Sequence, residues 1–526
     1  MTSSITVIAG GKVLDGLGGA AQDWDVYIRD ARIDDLRPHT DNHAGCEVID
    51  AQGLTVAPGF IDTHSHADNA PFVHENDTMK ILQGVTTEVV GNCGFSLAPV
   101  SPKWREEHQN MVAAWPHSFE GSSFAEFLNE TDKRGYMSNY VPLVGHGAIR
   151  LAAMGMDSRE PTRQEQIRME ELLEEALEAG AFGMSTGLVY PPGVYSKTDE
   201  IVDLAKHLRT HSIYASHIRG EGSTLLESVS EALQIGESSG RRVVISHHKA
   251  MGKKNWGATK RSLEIMQSAL DRGVDVYQDM YPYTAGSTFL SALIPPEFHE
   301  GGKNALLSRL TDESELRRIR ERLDEPSSRF QNMLLESGGE SVLIASTNSR
   351  KFEGQTLVEA ARILGKSEFE TLIHILVTED LSPQMILFSM DEGDIERVMR
   401  NKRTAFGTDG AFPGTVGKWH PRTYGTFPRV LSRYVRDKAV LTLEEAVRKM
   451  TSLPAEMFHL GEVGQIAPGK LADLVAFDAA TISDDLDYQD SARSPKGIAW
   501  VMQGGQVVAR DNQFLGARRG RRFKPL

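Results

Sequence analysis

The sequence has little cysteine: Cys46 and Cys93 are the two in 526 residues. Two cysteines cannot build a disulfide framework, which excludes the small disulfide-rich secreted class and favours a reducing compartment. No stretch approaches the roughly 18 consecutive apolar residues of a membrane span, and the stretch MTSSITVIAGGKVLDG lacks the basic and apolar regions of a signal peptide. We therefore expect a cytoplasmic protein that makes no contact with a membrane.

The sequence also lacks an excess of positive charge. It holds 57 lysines and arginines against 72 aspartates and glutamates, which gives a net charge of −15 and a pI near 5.6. This balance argues against a nucleic-acid surface, and the basic run at 517–522 is interpreted as a solvated tail. Hydrophobic content of 40% and charged content of 25% are typical of an ordinary globular protein, and they leave the oligomeric state open.

The sequence does contain a change in the pattern of apolar and polar residues along the chain. Residues 1–56 and 461–526 alternate apolar and polar positions between turn signals, as half-buried strands do, and we expect one small β-barrel or sandwich domain from both ends. Residues 57–460 alternate short apolar runs with helix-like segments, which predicts an α/β fold of the (β/α)8 TIM-barrel class. Residues 287–344 break this rhythm and predict an insertion at the top of the barrel, either a lid or a passive surface elaboration.

Polar side chains lie at the predicted carboxyl ends of the barrel strands, the face on which such barrels carry their active sites. The first strand ends in DTHSHAD, where alternate residues of an extended chain point to the same side. Other strands end in GNCG, YASH, VVISHH and FGTDG; at the double histidine, register favours His247 as the inward residue and His248 as a packed one. The residues placed there are His64, His66, Cys93, His217, His247 and Asp409.

Each of these residues alone has an ordinary structural explanation. A cysteine between glycines is commonly a small buried side chain, and Cys93 is also a candidate nucleophile because thiol catalysis needs a neighbouring base. Their joint placement at strand ends instead predicts a metal site. A thiolate among neutral imidazoles suits Zn²⁺ and would be quenched as a nucleophile by that ion, so ligation is the favoured role of Cys93.

These residues and their surroundings resemble a known family. The order HxH, His, His and Asp along the strands, with GFIDTHSHAD and GEVGQIAPGKLADLVAFD, resembles the amidohydrolase superfamily. Within it, GNCGFS, STGLVYPPG, SHIRGEG, ISHHKAMG, DMYPYTAGST and HPRTYGTFPRVLSRYVR resemble the N-acyl-D-amino-acid deacylases, or D-aminoacylases. The resemblance runs from about residue 5 to residue 510.

The resemblance implies a particular metal arrangement. Many superfamily members bridge two metals with a carboxylated lysine at the end of strand four, where this chain has AFGMSTGLVY and no lysine. In the D-aminoacylases a cysteine from strand two takes that place, and Cys93 stands at the matching position. The resemblance thus implies a tight Zn²⁺ on Cys93, His217 and His247, and a weaker second site formed by His64, His66 and Cys93.

The implied reaction is hydrolysis of an N-acyl-D-amino acid to a carboxylate and a free D-amino acid. Zinc would activate a water molecule, with Asp409 as general base and then general acid toward the leaving amine. After YTAGST the segment FLSALIPP is apolar and no arginine or lysine occurs before Lys303, which favours neutral or hydrophobic substrate side chains. The preference for D over L rests on the resemblance alone. The residues expected around the substrate carboxylate are Lys249, Tyr190, Ser287 and Arg350.

Three other functions fit the sequence less well. A cyclic amidase of the hydantoinase or dihydroorotase kind is disfavoured by the missing strand-four lysine and by the presence of Cys93. A deaminase of the same superfamily fits the GNCGFS and Tyr-Pro-Pro segments less well. A non-catalytic scaffold on the same barrel is expected to lack the ligands that this chain retains.

Overall fold

The computed structural model describes residues 5–73, 78–327, 330–411 and 417–526. The chain begins in short strands separated by turns, as the alternation of apolar and polar residues predicts. These strands are β1 (Ile5–Ala9), β2 (Lys12–Val13), β3 (Gln22–Arg29), β4 (Arg32–Pro38), β5 (Glu47–Asp50) and β6 (Thr55–Pro58).

A series of buried parallel strands alternating with helices follows. The strands are β7 (Phe60–Asp62), β8 (Ser65–His66), β9 (Val85–Val90), β10 (Asn139–Pro142), β11 (Val144–Gly145), β12 (Gly183–Gly187), β13 (Ile213–His217), β14 (Arg242–Ile245) and β15 (Val276–Met280). The helices are α1 (Arg105–Met111), α2 (Phe124–Arg134), α3 (His146–Met154), α4 (Arg163–Ala179), α5 (Thr198–Lys206), α6 (Leu225–Ser239) and α7 (Thr259–Asp271). Helix α4 shows why these segments form helices: Thr162 and Glu165 form a capping box at its start, and Gly180 ends it in a left-handed conformation.

A separate unit interrupts the barrel after β15. Its strands β16 (Ala285–Phe289), β17 (Val342–Ser346) and β18 (Gln384–Phe388) form an antiparallel sheet in the order β16-β18-β17. Its helices are α8 (Lys303–Arg309), α9 (Glu313–Asp324), α10 (Met333–Ser337), α11 (Leu357–Leu364) and α12 (Glu368–Thr378). The unit thus extends past the expected boundary at residue 344, because β17 and its partner β18 are separated by two helices and local periodicity does not reveal such a pairing.

The barrel then resumes and closes. The elements are α13 (Glu392–Arg400), β19 (Thr404–Phe406), β20 (Gly410–Ala411), α14 (Arg422–Arg429), a π-helical segment (Val430–Asp437), α15 (Leu443–Met450) and α16 (Ser452–Met457). Strand order β10-β9-β7 and β11-β12-β13-β14-β15-β19 accounts for most of the ring, and β20 pairs in parallel with β8. The Asp409 backbone N–H donates to the His64 carbonyl at 2.7 Å, and that of Leu143 donates to Val90 at 2.9 Å, so the strands form a closed (β/α)8 barrel.

The last strands return to the first ones. They are β21 (Leu474–Phe477), β22 (Ile498–Gln503), β23 (Gln506–Arg510) and β24 (Gln513–Phe514). Strand β21 pairs antiparallel with β6, which joins strands from both ends of the chain in one sheet, with a core that includes Val26, Ile28, Trp500 and Met502. Among the described helices none has the length and apolar character needed to cross a bilayer.

Short 3₁₀ turns complete the described secondary structure. They lie at Ala70–Phe72, Ile81–Gln83, Pro102–Trp104, Gly193–Tyr195, Lys253–Asn255, Leu290–Leu293, Pro296–His299 and Gly339–Ser341.

Candidate metal centre

Four side chains from different strand ends meet at the mouth of the barrel. The ligand atoms of His64, Cys93, His247 and Asp409 all lie within 4.8 Å of one another. Cys93 Sγ is central in this group, 3.3 Å from His64 Nε2 and 3.4 Å from His247 Nε2. Because Cys93 is buried and flanked by two imidazole nitrogens, its sulfur lies where a metal ligand is expected.

The backbone at three of these residues is left-handed. The φ angles are 54° at Cys93, 36° at His247 and 47° at Asp409. A residue with a Cβ pays about 1–2 kcal/mol for this conformation, and such residues concentrate at functional sites. Each strand therefore ends in a sharp turn that the rest of the barrel has to stabilise, and the side chain at each turn lies in the cluster.

A second group adjoins the first through His247. Its Nδ1 lies 2.9 Å from Oε1 of Glu221, and the other carboxylate oxygen of Glu221 is 3.8 Å from Nε2 of His217. The ammonium group of Lys249 donates to the same Glu221 oxygen and lies 2.8 Å from His247 Nδ1. Burial raises the pKa of Glu221, but Lys249 and the two histidines outweigh it and hold that pKa well below its usual range.

The imidazole of His217 is the clearest sign that an ion belongs here. The residue is 5% exposed, and neither ring nitrogen has a hydrogen-bond partner among the described residues. An unpaired buried polar group is costly, and native proteins rarely tolerate one without a bound ion or water. The ring of His217 lies 4.4 Å from that of His247, so both imidazoles are placed to share an ion.

The thiol of Cys93 is in the right form for ligation. Burial raises its pKa, but His64 and His247 act in the opposite direction and bring the pKa well below its usual range. A thiolate, imidazoles and a carboxylate make a donor set that suits Zn²⁺. The residues present therefore fit a zinc centre.

Asp409 connects the cluster to a residue that the sequence interpretation did not identify. One carboxylate oxygen lies 3.2 Å from His66 Nε2 and 3.6 Å from His64 Nε2, and the other is 2.8 Å from Arg422 Nη1. Burial raises the pKa of Asp409, but Arg422 and His247 outweigh it, so the group is a carboxylate at neutral pH. The motif HPRTYG contains Arg422, but nothing in its spacing indicates that this side chain reaches Asp409.

Two further carboxylates beside the cluster were not predicted from the sequence. Asp279, in β15, accepts the His247 backbone N–H at 2.6 Å and lies 3.3 Å from His64 Nδ1, so it orients both histidines. Glu221 follows His217 by four residues, in a loop whose direction the sequence does not show. The signal available was only that Glu221 follows a strand that ends in a predicted ligand, and that Asp279 lies inside a buried barrel strand.

The end of β12 explains why strand four carries no ligand. Gly187 occupies that end, and a Cβ built on it would lie 2.0 Å from the carbonyl oxygen of Cys93. The turn that presents Cys93 thus occupies the space that a strand-four side chain would need. A side chain at position 187 is therefore sterically incompatible with the backbone turn at residue 93.

Of the four residues expected around a substrate carboxylate, three line the cavity above the cluster. They are Lys249, Tyr190 and Ser287. The hydroxyl of Tyr190 is 2.9 Å from Thr288 Oγ1, and the hydroxyl of Ser287 donates to the Met385 carbonyl. Lys249 directs its ammonium group at Glu221 and His247.

Arg350 is not brought to the cavity. It is exposed, with a left-handed φ of 59°, and Arg422 is the arginine that lines the cavity. Arg350 was expected near the substrate from the STNSR segment at the far edge of the insertion, but in the structure this residue is exposed to solvent. His248 also points away from the cavity, since its ring bonds to Gln278 and Ser262.

Known proteins resemble this chain over most of its length. A model described as the amidohydrolase family matches residues 47–509. The chain belongs to the amidohydrolase family. This amidohydrolase is 36% identical to a D-aminoacylase of Alcaligenes xylosoxydans xylosoxydans over 522 residues, which is 98% of this chain and 96% of the relative. It is 37% identical to an N-acyl-D-glutamate deacylase of the same organism over 508 residues, 95% of this chain and 93% of the relative.

A solved structure supports the same placement of this amidohydrolase. The N-acyl-D-glutamate deacylase of Bordetella bronchiseptica, complexed with zinc and a phosphonate inhibitor that mimics the tetrahedral intermediate, is 32% identical and matches with a TM-score of 0.82. The match covers 100% of both chains. The barrel, the inserted unit and the terminal sheet therefore all lie within the matched length.

Proposed function

We propose that this amidohydrolase hydrolyses the amide bond of N-acyl-D-amino acids with zinc as its cofactor, which yields a carboxylate and a free D-amino acid. The observation that carries the proposal is the cluster of Cys93, His64, His247 and Asp409 at the barrel mouth, with the thiolate in the centre. The D-aminoacylase and deacylase relatives, which match nearly the whole chain, support the reaction class.

The ligands divide into two sets that share the cysteine. Cys93, His217 and His247 would hold the tight zinc ion, and His64 and His66 with Cys93 would hold a weaker one. Zinc bound here supplies Lewis acidity to the amide carbonyl and makes a neighbouring water more acidic. The unpaired nitrogens of His217 and the lowered pKa of Cys93 support the first set.

Asp409 moves the proton in this scheme. Its Oδ1 faces the histidine cluster, so this oxygen takes the proton of the attacking water as general base. The protonated carboxyl group then gives that proton to the leaving amine, which an amide needs because an amide anion leaves poorly. Arg422 holds the other oxygen at 2.8 Å and fixes the carboxylate orientation for both steps.

The substrate carboxylate is bound by groups that line the cavity. We assign Tyr190, Ser287 and Lys249 to this role; Lys249 would give one of its donors to the substrate when the cavity is filled. A cationic donor beside two hydroxyls suits a carboxylate. Arg350 receives no role in binding because it is exposed outside the cavity.

The cavity walls favour neutral or hydrophobic side chains. Apolar groups line much of it, namely Phe95, Met111, Trp115, Phe289 and Leu387. The cationic residues that line it among the described part of the chain are Lys249 and Arg422, and each is already paired with a carboxylate, Glu221 and Asp409. With Lys249 assigned to the substrate α-carboxylate and Arg422 held by Asp409, an acidic substrate side chain would find no further cation among the described lining residues.

Hydrolysis of a panel of N-acetyl-D- and N-acetyl-L-amino acids by the zinc-loaded protein tests the reaction. Release of the D-amino acid, with little or none from the L series, is expected. Activity on the L series alone would overturn the proposal. Hydrolysis of hydantoin or dihydroorotate, with none of the linear amides, would instead indicate a cyclic amidase.

The same panel tests the side-chain preference. N-acetyl-D-leucine, -methionine and -phenylalanine are expected to be better substrates than N-acetyl-D-glutamate, as measured by kcat/KM. A higher kcat/KM on the glutamate derivative would contradict the apolar assignment while leaving the reaction class intact.

The division of the chain is also proposed. Residues 1–56 and 461–526 form one small β domain, supported by the pairing of β6 with β21, and residues 57–460 form the catalytic barrel. The inserted unit, which the sequence placed at about residues 287–344, supplies Ser287 and Phe289 to one wall of the cavity, as a lid would. We place the enzyme in the cytoplasm, in keeping with its two unpaired cysteines.

A further inference from the structure

A second group of metal-ligand side chains lies in the terminal β sheet. Asp25 belongs to β3, and His39 and His43 belong to the loop between β4 and β5; these three residues are called the loop cluster here. Their ligand atoms all lie within 4.8 Å of one another. None of the three lines the cavity of the barrel site.

The carboxylate at the centre of the loop cluster is fully buried. Asp25 is 0% exposed, and its Oδ1 lies 2.8 Å from His39 Nδ1 while its Oδ2 lies 3.6 Å from His43 Nε2. Backbone N–H groups of Gly10 and Thr40 donate to the two oxygens at 3.3 and 3.0 Å. Asp25 is therefore held in place by the backbone, with both oxygens presented to the two imidazoles.

The side chain of His43 is what distinguishes this group from an ordinary ion pair. It is 7% exposed, and neither of its ring nitrogens has a hydrogen-bond partner among the described residues. A buried imidazole with both nitrogens unpaired carries a desolvation cost that a bound ion would remove. Its Nε2 points to Asp25, toward the place where such an ion would lie.

The spacing of these atoms is close to that of a tetrahedral site. Ligand atoms about 2.0–2.1 Å from a tetrahedral zinc ion lie about 3.3 Å from one another. His39 lies 2.8 Å from one oxygen of Asp25 and His43 lies 3.6 Å from the other, one ligand atom from each residue lies within 4.8 Å of the others, and His39 is at the rim of the group with its side chain 40% exposed. Small side-chain rotations would bring all three atoms to ligand distance, with water from the open side as the fourth ligand.

We propose that the loop cluster is a structural zinc site, in which Asp25, His39 and His43 bind one Zn²⁺ ion and fasten the β4–β5 loop to β3. Two imidazoles and one carboxylate are ligands that zinc accepts. Cys46 lies three residues after His43 but packs with Val7, Ala9 and Tyr27, outside the group of ligand atoms. The site thus lacks a thiolate, in contrast with the barrel centre, and it does not depend on the proposed function.

Zinc content of the full-length protein tests the proposal. The wild type and the variants His43→Gln and His39→Gln are saturated with Zn²⁺, desalted and analysed for zinc per chain. His207→Gln is the matched control, because His207 lies outside the loop cluster and pairs with Glu174 at 2.8 Å and Glu170 at 3.6 Å. Each cluster variant is expected to hold one zinc fewer than the wild type and the control, with kcat/KM on the best substrate unchanged.

Equal zinc content in the wild type and a folded cluster variant would overturn the proposal. His39 is partly exposed, so His39→Gln keeps the test valid if the buried His43→Gln variant fails to fold. Cobalt gives an independent readout, since Co²⁺ at Cys93 shows a thiolate charge-transfer band and Co²⁺ at the loop cluster does not. A decrease in visible cobalt absorption per chain in His39→Gln, with the thiolate band intact, is expected; loss of the thiolate band alone would contradict the assignment.

Discussion

The two halves of the metal centre share Cys93 but are supported differently. His217 and His247 are backed by Glu221, which is itself paired with Lys249, and these side chains are buried beside the cavity. On the other side, His66 stacks on Trp115 beside the cavity and contacts Asp409, whose partner is Arg422. In the proposed mechanism the first half would retain an ion, and the second half contains the groups that would move a proton.

Removal of Cys93, the ligand that both halves share, is expected to have the largest effect. Cys93→Ala is expected to lose the tight zinc and nearly all activity while the barrel still folds, because the cavity left by one sulfur is small. Metal analysis, circular dichroism and the D-amino-acid assay measure this. Cys46→Ala, the other cysteine, is the control, and a zinc-replete, active Cys93→Ala protein would show that the sulfur is no ligand.

The proton-moving half can be disabled alone. Asp409→Asn is expected to lower kcat by about 10²–10⁴-fold, the usual contribution of a general acid–base, while the first zinc is retained. Steady-state rates and zinc content are measured together. Glu231→Gln, which removes a carboxylate paired with Arg219 near the same barrel face, should leave both unchanged. An Asp409→Asn enzyme with near-normal kcat would assign the proton transfer to another group.

Zinc binding by His217 and His247 is expected to weaken when the carboxylate that supports these histidines, Glu221, is removed. Glu221→Gln removes the charge that orients His247 Nδ1 and is expected to lower zinc affinity by about 10–100-fold, the cost typical of losing a partner behind a ligand. Competition with a chromophoric chelator gives the affinity, again with Glu231→Gln as the control. Activity at saturating zinc should recover most of the wild-type value. Unchanged affinity would mean that Lys249 alone suffices to orient the histidine.

The smallest effect on activity is expected from substitution of His66. His66→Gln should lose the weaker second ion and keep the tight one, with a smaller loss of kcat/KM than Glu221→Gln causes at limiting zinc. Zinc titration followed by metal analysis distinguishes one bound ion from two. Loss of the tight ion in His66→Gln would show that the two halves are not separable.

The sequence predicted the ligands better than it predicted their supports. His64, Cys93, His247 and Asp409 each follow or end an apolar run, so strand-end placement could be inferred without coordinates, and the structure brings them within 4.8 Å. Arg422 lies on a helix that follows a loop, and no local pattern states where such a side chain points. The family and the barrel could likewise be predicted, because they depend on repeated local patterns.

The inserted unit shows the same limit at larger scale. Pairing of β17 with β18 spans two helices, and a periodic pattern carries no information about which distant strands pair. Arg350 was misplaced for the same reason, since its direction depends on a turn with φ of 59° and not on its distance along the chain from β17.

The close approach of Gly187 to Cys93 has a consequence for how such a site changes over generations. With 2.0 Å between a hypothetical Cβ at 187 and the Cys93 carbonyl, a lysine cannot be added on strand four while the cysteine turn persists. Removing the cysteine first would leave a centre without its shared ligand. Any mutational route between the two ligand schemes therefore passes through a backbone rearrangement or an inactive intermediate, so single substitutions are not expected to interconvert them.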